Sequence, residues 1–374
     1  MEHERIVPMA TDFNLTEYLN RGAEQLVKDI VKATLRNPKE AAFLRRHYKA
    51  HMAMEKRRAE LEAQGMHIPT FLIGSITNAC NLFCKGCYAR ANGQCGSENV
   101  KPLLDAGQWS GIFDQAADLG IPFILLAGGE PMMRPDVLQT AAGHENTIFP
   151  IFTNGTLIDE TLLKMFDRHR NLVPIVSLEG GEEATDGRRG EGAFGHVQAA
   201  LDSMAKYKLL FGASLTVTTE NRAEVMAPKF IEMLYKKGCR LVFFIEYVPV
   251  APGTETLAPD DAERALMDIS QDSLRAGFPG MVFLSFPGDE RHMGGCLAAG
   301  RGFFHISAQG AAEPCPFSPY SDMNLRDHTL LEALQSPFFQ MVSDLNAQDL
   351  GHMGGCALFA KEAQVKALLF PQNA

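Results

Sequence analysis

From Phe71 to Val250, apolar β-branched runs alternate with helical patterns, and this alternation constrains the fold of the 374-residue chain more than any other feature. The runs are FLIGSI, FILLAGG, TIFPIFTNG, VPIVSLEGG, GASLTVTTEN and LVFFIEYVPV. Between them lie WSGIFDQAADLG, whose Trp109, Ile112, Phe113 and Ala116 share one helical face, and FGHVQAALDSMAKY. Six βα units with nearly continuous apolar strands predict a parallel sheet covered on both faces. Six are too few to complete an eight-stranded barrel. The expected fold is α/β, a partial (β/α)6 TIM-type barrel with a wide mouth.

The flanks divide the chain into three. Residues 1–66 predict an N-terminal helical arm. Leu19, Ala23, Leu26, Ile30, Val31 and Leu35 recur at helical spacing until Asn37–Pro38, which caps a second helix running to Gly65. Phe43, Leu44 and Tyr48 form the apolar side of that second helix. The barrel core spans 67–287, where a seventh apolar run, MVFLSF, ends at Pro287. Residues 288–374 form a Cys-rich C-terminal extension with one hairpin expected across FFHISAQGAAEPC and a helix or two from Thr329.

A formal net charge of −10 argues against nucleic-acid binding. The charge is uneven, because Arg21–Glu62 carries 11 Lys/Arg against 6 Asp/Glu. Such an arm reads first as a solvated helix face, with contact to an acidic partner or a membrane surface as further options. The first twenty residues lack an apolar signal core, and no run approaches the length of a membrane span. The expectation is a cytoplasmic protein with reduced thiols, in which clustered cysteines bind metal or catalyse.

Cys80, Cys84 and Cys87 follow the spacing C-x3-C-x2-C directly after the first strand. Their thiolates would converge at the C-terminal mouth of the sheet, where α/β folds place their chemistry. Three ligands suit a 4Fe–4S cluster with one iron left open. A structural zinc site wants four, and Cys95 is the nearby candidate for the fourth.

At these residues the chain resembles the radical S-adenosylmethionine (SAM) superfamily. CNLFCKGCY is similar to its cluster loop, three cysteines followed by an aromatic residue, here Tyr88. The resemblance implies a 4Fe–4S cluster whose open iron chelates SAM. It also implies reductive cleavage of SAM to a 5′-deoxyadenosyl radical that takes hydrogen from a substrate. Further strand ends match in order. In AGGEP, Gly128 and Gly129 bare backbone carbonyls that, with the Glu130 carboxylate, can accept hydrogen bonds from the SAM amine. In SLEGGEEATDGRRG the resemblance places Ser177 at the SAM ribose or carboxylate and Arg189, with Arg188 as competitor, on the carboxylate. TNG and TVTTEN end the third and fifth strands with small polar groups and make Asn154 and Thr218 candidates. EYVPV resembles the segment that lies along adenine, with Val250 as the candidate there. The likeness covers about residues 70–250.

Cys296, Cys315 and Cys356 lie far apart in Gly/Pro-rich context. The pattern C-x13-G-x4-C, with Gly310 inside it, resembles the opening of the SPASM extension or its shorter twitch form. It implies an auxiliary 4Fe–4S cluster with a fourth site filled by Cys95, left open or occupied by substrate. A zinc centre completed by His292, His305 or His352 is the alternative. Cys239 reads as a plain buried cysteine.

Glu246, flanked by large apolar residues on the sixth run, is the candidate general base, or else a barrel carboxylate paired with an arginine, with Tyr247 facing the helices. The implied partners are a peptide or small-molecule substrate and a ferredoxin or flavodoxin as electron donor. A non-catalytic iron–sulfur carrier or redox sensor, or a zinc-binding interaction protein, would not need the GGE and Ser177/Arg189 positions.

Overall fold

The computed structural model describes residues 38–96, 102–347 and 355–369. The first expected helix and His352 lie outside them. Seven parallel strands run in sequence order: β1 (Phe71–Thr77), β2 (Phe123–Gly128), β3 (Phe149–Thr153), β4 (Leu172–Leu178), β5 (Gly212–Val217), β6 (Leu241–Glu246) and β7 (Val282–Phe286). Three short strands continue the same sheet beyond β1: β8 (His305–Ile306), β9 (Ala311–Glu313) and β10 (Met323–Asn324). β8 pairs parallel with β1, and β9 and β10 then follow antiparallel.

Two features differ from the simplest reading of the sequence. The seventh apolar run belongs to the barrel sheet, paired with β6 from Leu241↔Val282 to Ile245↔Phe286. The extension, moreover, begins as an added edge of that sheet, which covers backbone groups of β1 that an edge strand would leave open. The expected hairpin is β8–β9, turned at Gly310 with φ +92°.

The sheet is curled. Phe152 on β3 and Phe243 on β6 have ring centroids 5.1 Å apart. Three strand steps of about 4.8 Å would separate them by about 14 Å in a flat sheet. On the outer face the helix Ala106–Leu119 buries Trp109, Ile112, Phe113 and Ala116, the face expected from their spacing. A capping box of Asp105 with Gln108 starts it and left-handed Gly120 ends it. Trp109 lies on Gly74, where an added Cβ would stand 3.1 Å from the indole ring.

The helix Pro38–Glu62 plugs the N-terminal mouth of the barrel, opposite the strand ends that carry the cysteine loop. Phe43 and Leu44 pack with Ile148, Val173, Ile175, Leu210 and Leu241, at or near the starts of strands. The buried face also carries Glu40, His47, His51, Met54, Arg58 and Leu61, whereas Tyr48 is 38% exposed and not on the apolar side. Glu40 accepts hydrogen bonds from Arg170 (2.5 Å) and from the Leu210 amide (3.3 Å), which ties the plug to the rim. No described helix is long and apolar enough to cross a membrane.

His47 gives this plug a pH dependence. Burial, with the neighbouring His51, pushes its pKa down to about 4. The unfolded chain therefore binds more protons between about pH 6.5 and 4. The contribution is intact above about 6.5 and is lost as pH falls toward 4, by about 3 kcal/mol in all. His47→Phe is expected to flatten that part of the stability-versus-pH curve in urea titrations. An unchanged slope would show that His47 is not the group responsible.

Candidate functional site

The strand ends of β1 and β2 set the cysteine loop. Gly128 has φ +127°, and a Cβ on it would stand 2.2 Å from the Thr77 carbonyl oxygen. A Cβ on Gly129 would stand 2.0 Å from the Ala79 carbonyl oxygen. The Gly129 and Glu130 amides donate to Thr77 O (2.7 Å) and Ala79 O (2.8 Å). The glycines thus permit backbone contact with the loop that opens at Cys80, a close-approach role that differs from baring carbonyls for a ligand.

Glu130 is 1% exposed and already engaged. Its carboxylate accepts from Met132 N (3.0 Å), Thr153 Oγ1 (2.7 Å) and Asn154 N (2.7 Å). Burial nevertheless raises its pKa to about 7. Asn154 donates through Nδ2 to Asn81 Oδ1 (2.8 Å) and hydrogen-bonds Cys80. The ends of β2 and β3 therefore hold the start of the loop.

Within the loop, Cys95 hydrogen-bonds Cys80, and this contact is the main cause of a Cys80 pKa lowered to about 6. The partner thiol of Cys95 is pushed up correspondingly. Burial raises Cys84, opposed by the nearby Arg189 and Arg188, and the charges of Cys87 and Cys80 also reach it. Among the described residues no three or more such donors are arranged to hold one metal ion, so neither cysteine trio is a preformed mononuclear site.

The far side of the loop rests on the helix Glu182–Arg189. Lys85 N donates to Arg188 O (2.9 Å), and Arg188 Nε donates back to Lys85 O (3.2 Å). Arg188 and Arg189 both grip Glu179 Oε1, at 2.5 and 2.6 Å. Burial opposes the Arg189 cation, but Glu179 and Cys84 outweigh it and raise its pKa. Glu179 Oε2 is buried without a hydrogen-bond partner. Nothing in the spacing of SLEGGEE singles out Glu179, since its role depends on two arginines one helix later.

Other candidates are placed as follows. Ser177 is half-buried on β4, opposite Ser214 in register. Thr218 and Asn221 bond each other at the end of β5, and Asn221 also donates to Glu179 O (2.9 Å). Val250 is half-buried, with its amide on Val248 O (2.9 Å).

Glu246 is buried at the end of β6. Its carboxylate accepts from Arg264 Nε (2.7 Å) and from the Gly355 amide (3.3 Å), next to Cys356. The sixth strand is thereby tied to the extension, and the arginine-paired reading of Glu246 is the one observed. Tyr247 does not face the helices: a Cβ on Gly86 would stand 2.3 Å from its hydroxyl, which is buried without a partner beneath the Cys84–Cys87 turn. Arg264→Met is expected to destabilise the protein by about 3 kcal/mol, the cost of orphaning a buried carboxylate. A denaturant midpoint equal to wild type would remove Glu246–Arg264 from the list of structural ties.

Cys296, Cys315 and Cys356 line one cavity together with Glu290, Phe286 and Phe317. Burial raises all three thiols, Cys356 to about 12. Cys95, paired with Cys80, is not among the lining residues. His305 has both ring nitrogens engaged, on Ser75 Oγ (2.8 Å) and Glu313 Oε2 (2.7 Å), so it is not a zinc ligand here. The two cysteine regions meet through Gln94, which donates to Glu313 (2.9 Å), and through Tyr88, whose ring lies 5.0 Å from that of Phe317. Burial and the charges of Cys87, Cys315 and Cys95 act together on the Tyr88 hydroxyl.

This is the architecture of an enzyme that holds iron–sulfur chemistry at the open end of a partial barrel. A family model described as the radical SAM superfamily matches residues 75–230, so this stretch carries a radical SAM domain, and the cofactors of that superfamily are a 4Fe–4S cluster and SAM. It is similar to the Fe-coproporphyrin III synthase of Methanosarcina barkeri, 29% identical over 221 residues that cover 56% of this chain and 54% of that one. It is also similar to the AdoMet-dependent heme synthase of the same organism, 27% identical, with 71% of this chain and 81% of that one covered. The chain therefore spans about half the length of the first of these relatives and about four-fifths of the second. The crystal structure of Streptococcus suis SuiB bound to precursor peptide SuiA matches 80% of this chain and 75% of that one, with TM-score 0.64 and 16% identity, a likeness of fold.

The cysteine loop fits its cofactors on features of this structure. It offers three cysteines on one loop, two arginines beside Cys84, and the unpartnered Tyr247 hydroxyl and Glu179 Oε2 as hydrogen-bonding groups for a ligand.

Proposed function

We propose that this chain reductively cleaves SAM and uses the product to take hydrogen from an organic substrate held at the open mouth of the barrel. The observation that carries the reading is a three-cysteine loop at the end of β1 with Arg188 and Arg189 beside Cys84. Cys80, Cys84 and Cys87 would hold a 4Fe–4S cluster, which would supply the electron for cleavage of SAM to methionine and a 5′-deoxyadenosyl radical.

The chain's own residues position the parts. Gly128 and Gly129 seat the loop, Glu130 and Asn154 anchor its start, and Glu179 orients Arg188 and Arg189. Ser177 and Arg189 address the SAM carboxylate end, with Thr218 and Val250 along the nucleoside. Arg189 spends Nε and Nη2 on Glu179, so its remaining nitrogen is the one available to a ligand. Tyr88 packs between the two cysteine regions and excludes water there. Cys296, Cys315 and Cys356 hold an auxiliary 4Fe–4S cluster.

The names of the two Methanosarcina relatives support a porphyrin-type substrate as the first to assay, with a precursor peptide second. A ferredoxin or flavodoxin supplies the electron at the cluster end, where Phe83 is 78% exposed. The described part of the basic arm plugs the opposite end of the barrel and is not placed to receive that donor.

The test is anaerobic reconstitution with iron and sulfide, followed by dithionite and SAM. About eight iron per chain with 5′-deoxyadenosine formed supports both clusters. About four iron with nucleoside formed keeps the SAM chemistry and removes the auxiliary cluster. Iron without nucleoside points to a carrier, and zinc without iron overturns the reading.

A further inference from the structure

We propose that the Glu290 carboxylate is the fourth ligand of the auxiliary cluster. The inference rests on the reading of Cys296, Cys315 and Cys356 as its thiolate ligands. Glu290 lines the same cavity as those three cysteines, is 5% exposed, and hydrogen-bonds Cys296. It stands in the short helical turn Gly288–Met293, directly after β7. Gly294 and Gly295, both with positive φ, then reverse the chain, and the Gly295 amide donates to Glu290 O (3.0 Å). The reversal brings the Glu290 side chain and Cys296 to one wall of the cavity. The Leu297 amide donates to Glu290 Oε1 (3.2 Å) and fixes how the carboxylate is presented.

The three cysteines and Glu290 line one buried cavity, and Arg301 stands beside Glu290 and Cys296. Arg301 is itself spent on the carbonyls of Met293 (2.7 Å), Gly295 (2.8 Å) and Cys296 (3.0 Å), which shape the loop. Cys95 is not among the residues that line this cavity.

A carboxylate is a harder ligand than a thiolate, so it leaves one iron of the cluster more exchangeable than the other three. The test uses the full chain carrying Cys80→Ala, Cys84→Ala and Cys87→Ala, so that only the auxiliary cluster is read. Reconstituted anaerobically, this parent is expected to hold about four iron and to release one on ferricyanide oxidation, giving the EPR signal of a three-iron cluster. Glu290→Gln is expected to hold about three iron from the start, with that EPR signal already present on isolation. Glu290→Cys is expected to hold about four iron, to resist ferricyanide, and to show an altered EPR spectrum when reduced. A Glu290→Gln protein with the parent's iron content, reduced spectrum and oxidative behaviour would overturn the assignment. So would a Glu290→Cys cluster spectroscopically identical to the parent's. A parent that takes up no iron would instead remove the auxiliary cluster itself, and this ligand with it.

Discussion

Gly129→Ala is expected to lose the iron of the first cysteine loop, about half of the total, and to destabilise the protein by about 3 kcal/mol. The new Cβ would meet the Ala79 carbonyl oxygen at 2.0 Å and its carbon at 2.5 Å. Both atoms are backbone, so no side-chain rotation relieves the clash. The amides of Gly129 and Glu130 are bonded to Thr77 O and Ala79 O, so the two segments cannot separate without breaking that ladder. The residue after Ala79 is Cys80, and any displacement passes directly to a cluster ligand. Gly187→Ala, in a helix where an added Cβ meets nothing within 4 Å, is the control. Iron analysis and urea denaturation of both variants decide the matter. Wild-type iron content in Gly129→Ala would show that the loop binds iron without its seat on β2.

Glu179→Ala is expected to cost about 3–5 kcal/mol, the range for breaking a buried pair by removing one partner. The Glu179 side chain is 2% exposed, and its guanidinium partners on Arg188 and Arg189 are 19% and 10% exposed. Without the carboxylate, two half-buried cations lie side by side. Arg188 is also the residue whose backbone and guanidinium hold Lys85, so loosening it frees the Cys84 side of the loop. The double variant Glu179→Ala/Arg189→Met removes one of the stranded charges and is expected to regain part of the loss. Equal midpoints for the single and double variants would mean that charge burial is not the cause.

The helical face of Trp109, Ile112, Phe113 and Ala116, the six core strands and the hairpin of the extension were legible in the sequence. Each is written in local periodicity and turn residues, which a short window contains. The membership of β7 in the same sheet was not legible, because a short apolar run does not say which strand it will pair with. Tyr48 was misplaced because helical spacing shows which residues share a stripe but not how wide a stripe the partner covers. Tyr247 was expected against the helices and instead lies under Gly86, since the strand ends at Glu246 and strict alternation no longer applies beyond it.

The spacing of Cys80, Cys84 and Cys87 behind a strand, and the glycines and Glu130 behind the next one, were determined by the sequence itself. Such features depend on residues adjacent in the chain and need only a strand end to give them direction. Other pairings depended on how distant segments meet. Those are the pairing of Cys95 with Cys80, the seizure of Glu246 by Arg264, the double grip on Glu179, and the gathering of Glu290 with Cys296, Cys315 and Cys356. They were decided by the curl of the sheet and by the return of the extension along β1, because only the closed tertiary path brings side chains from opposite ends of the sequence into one buried space.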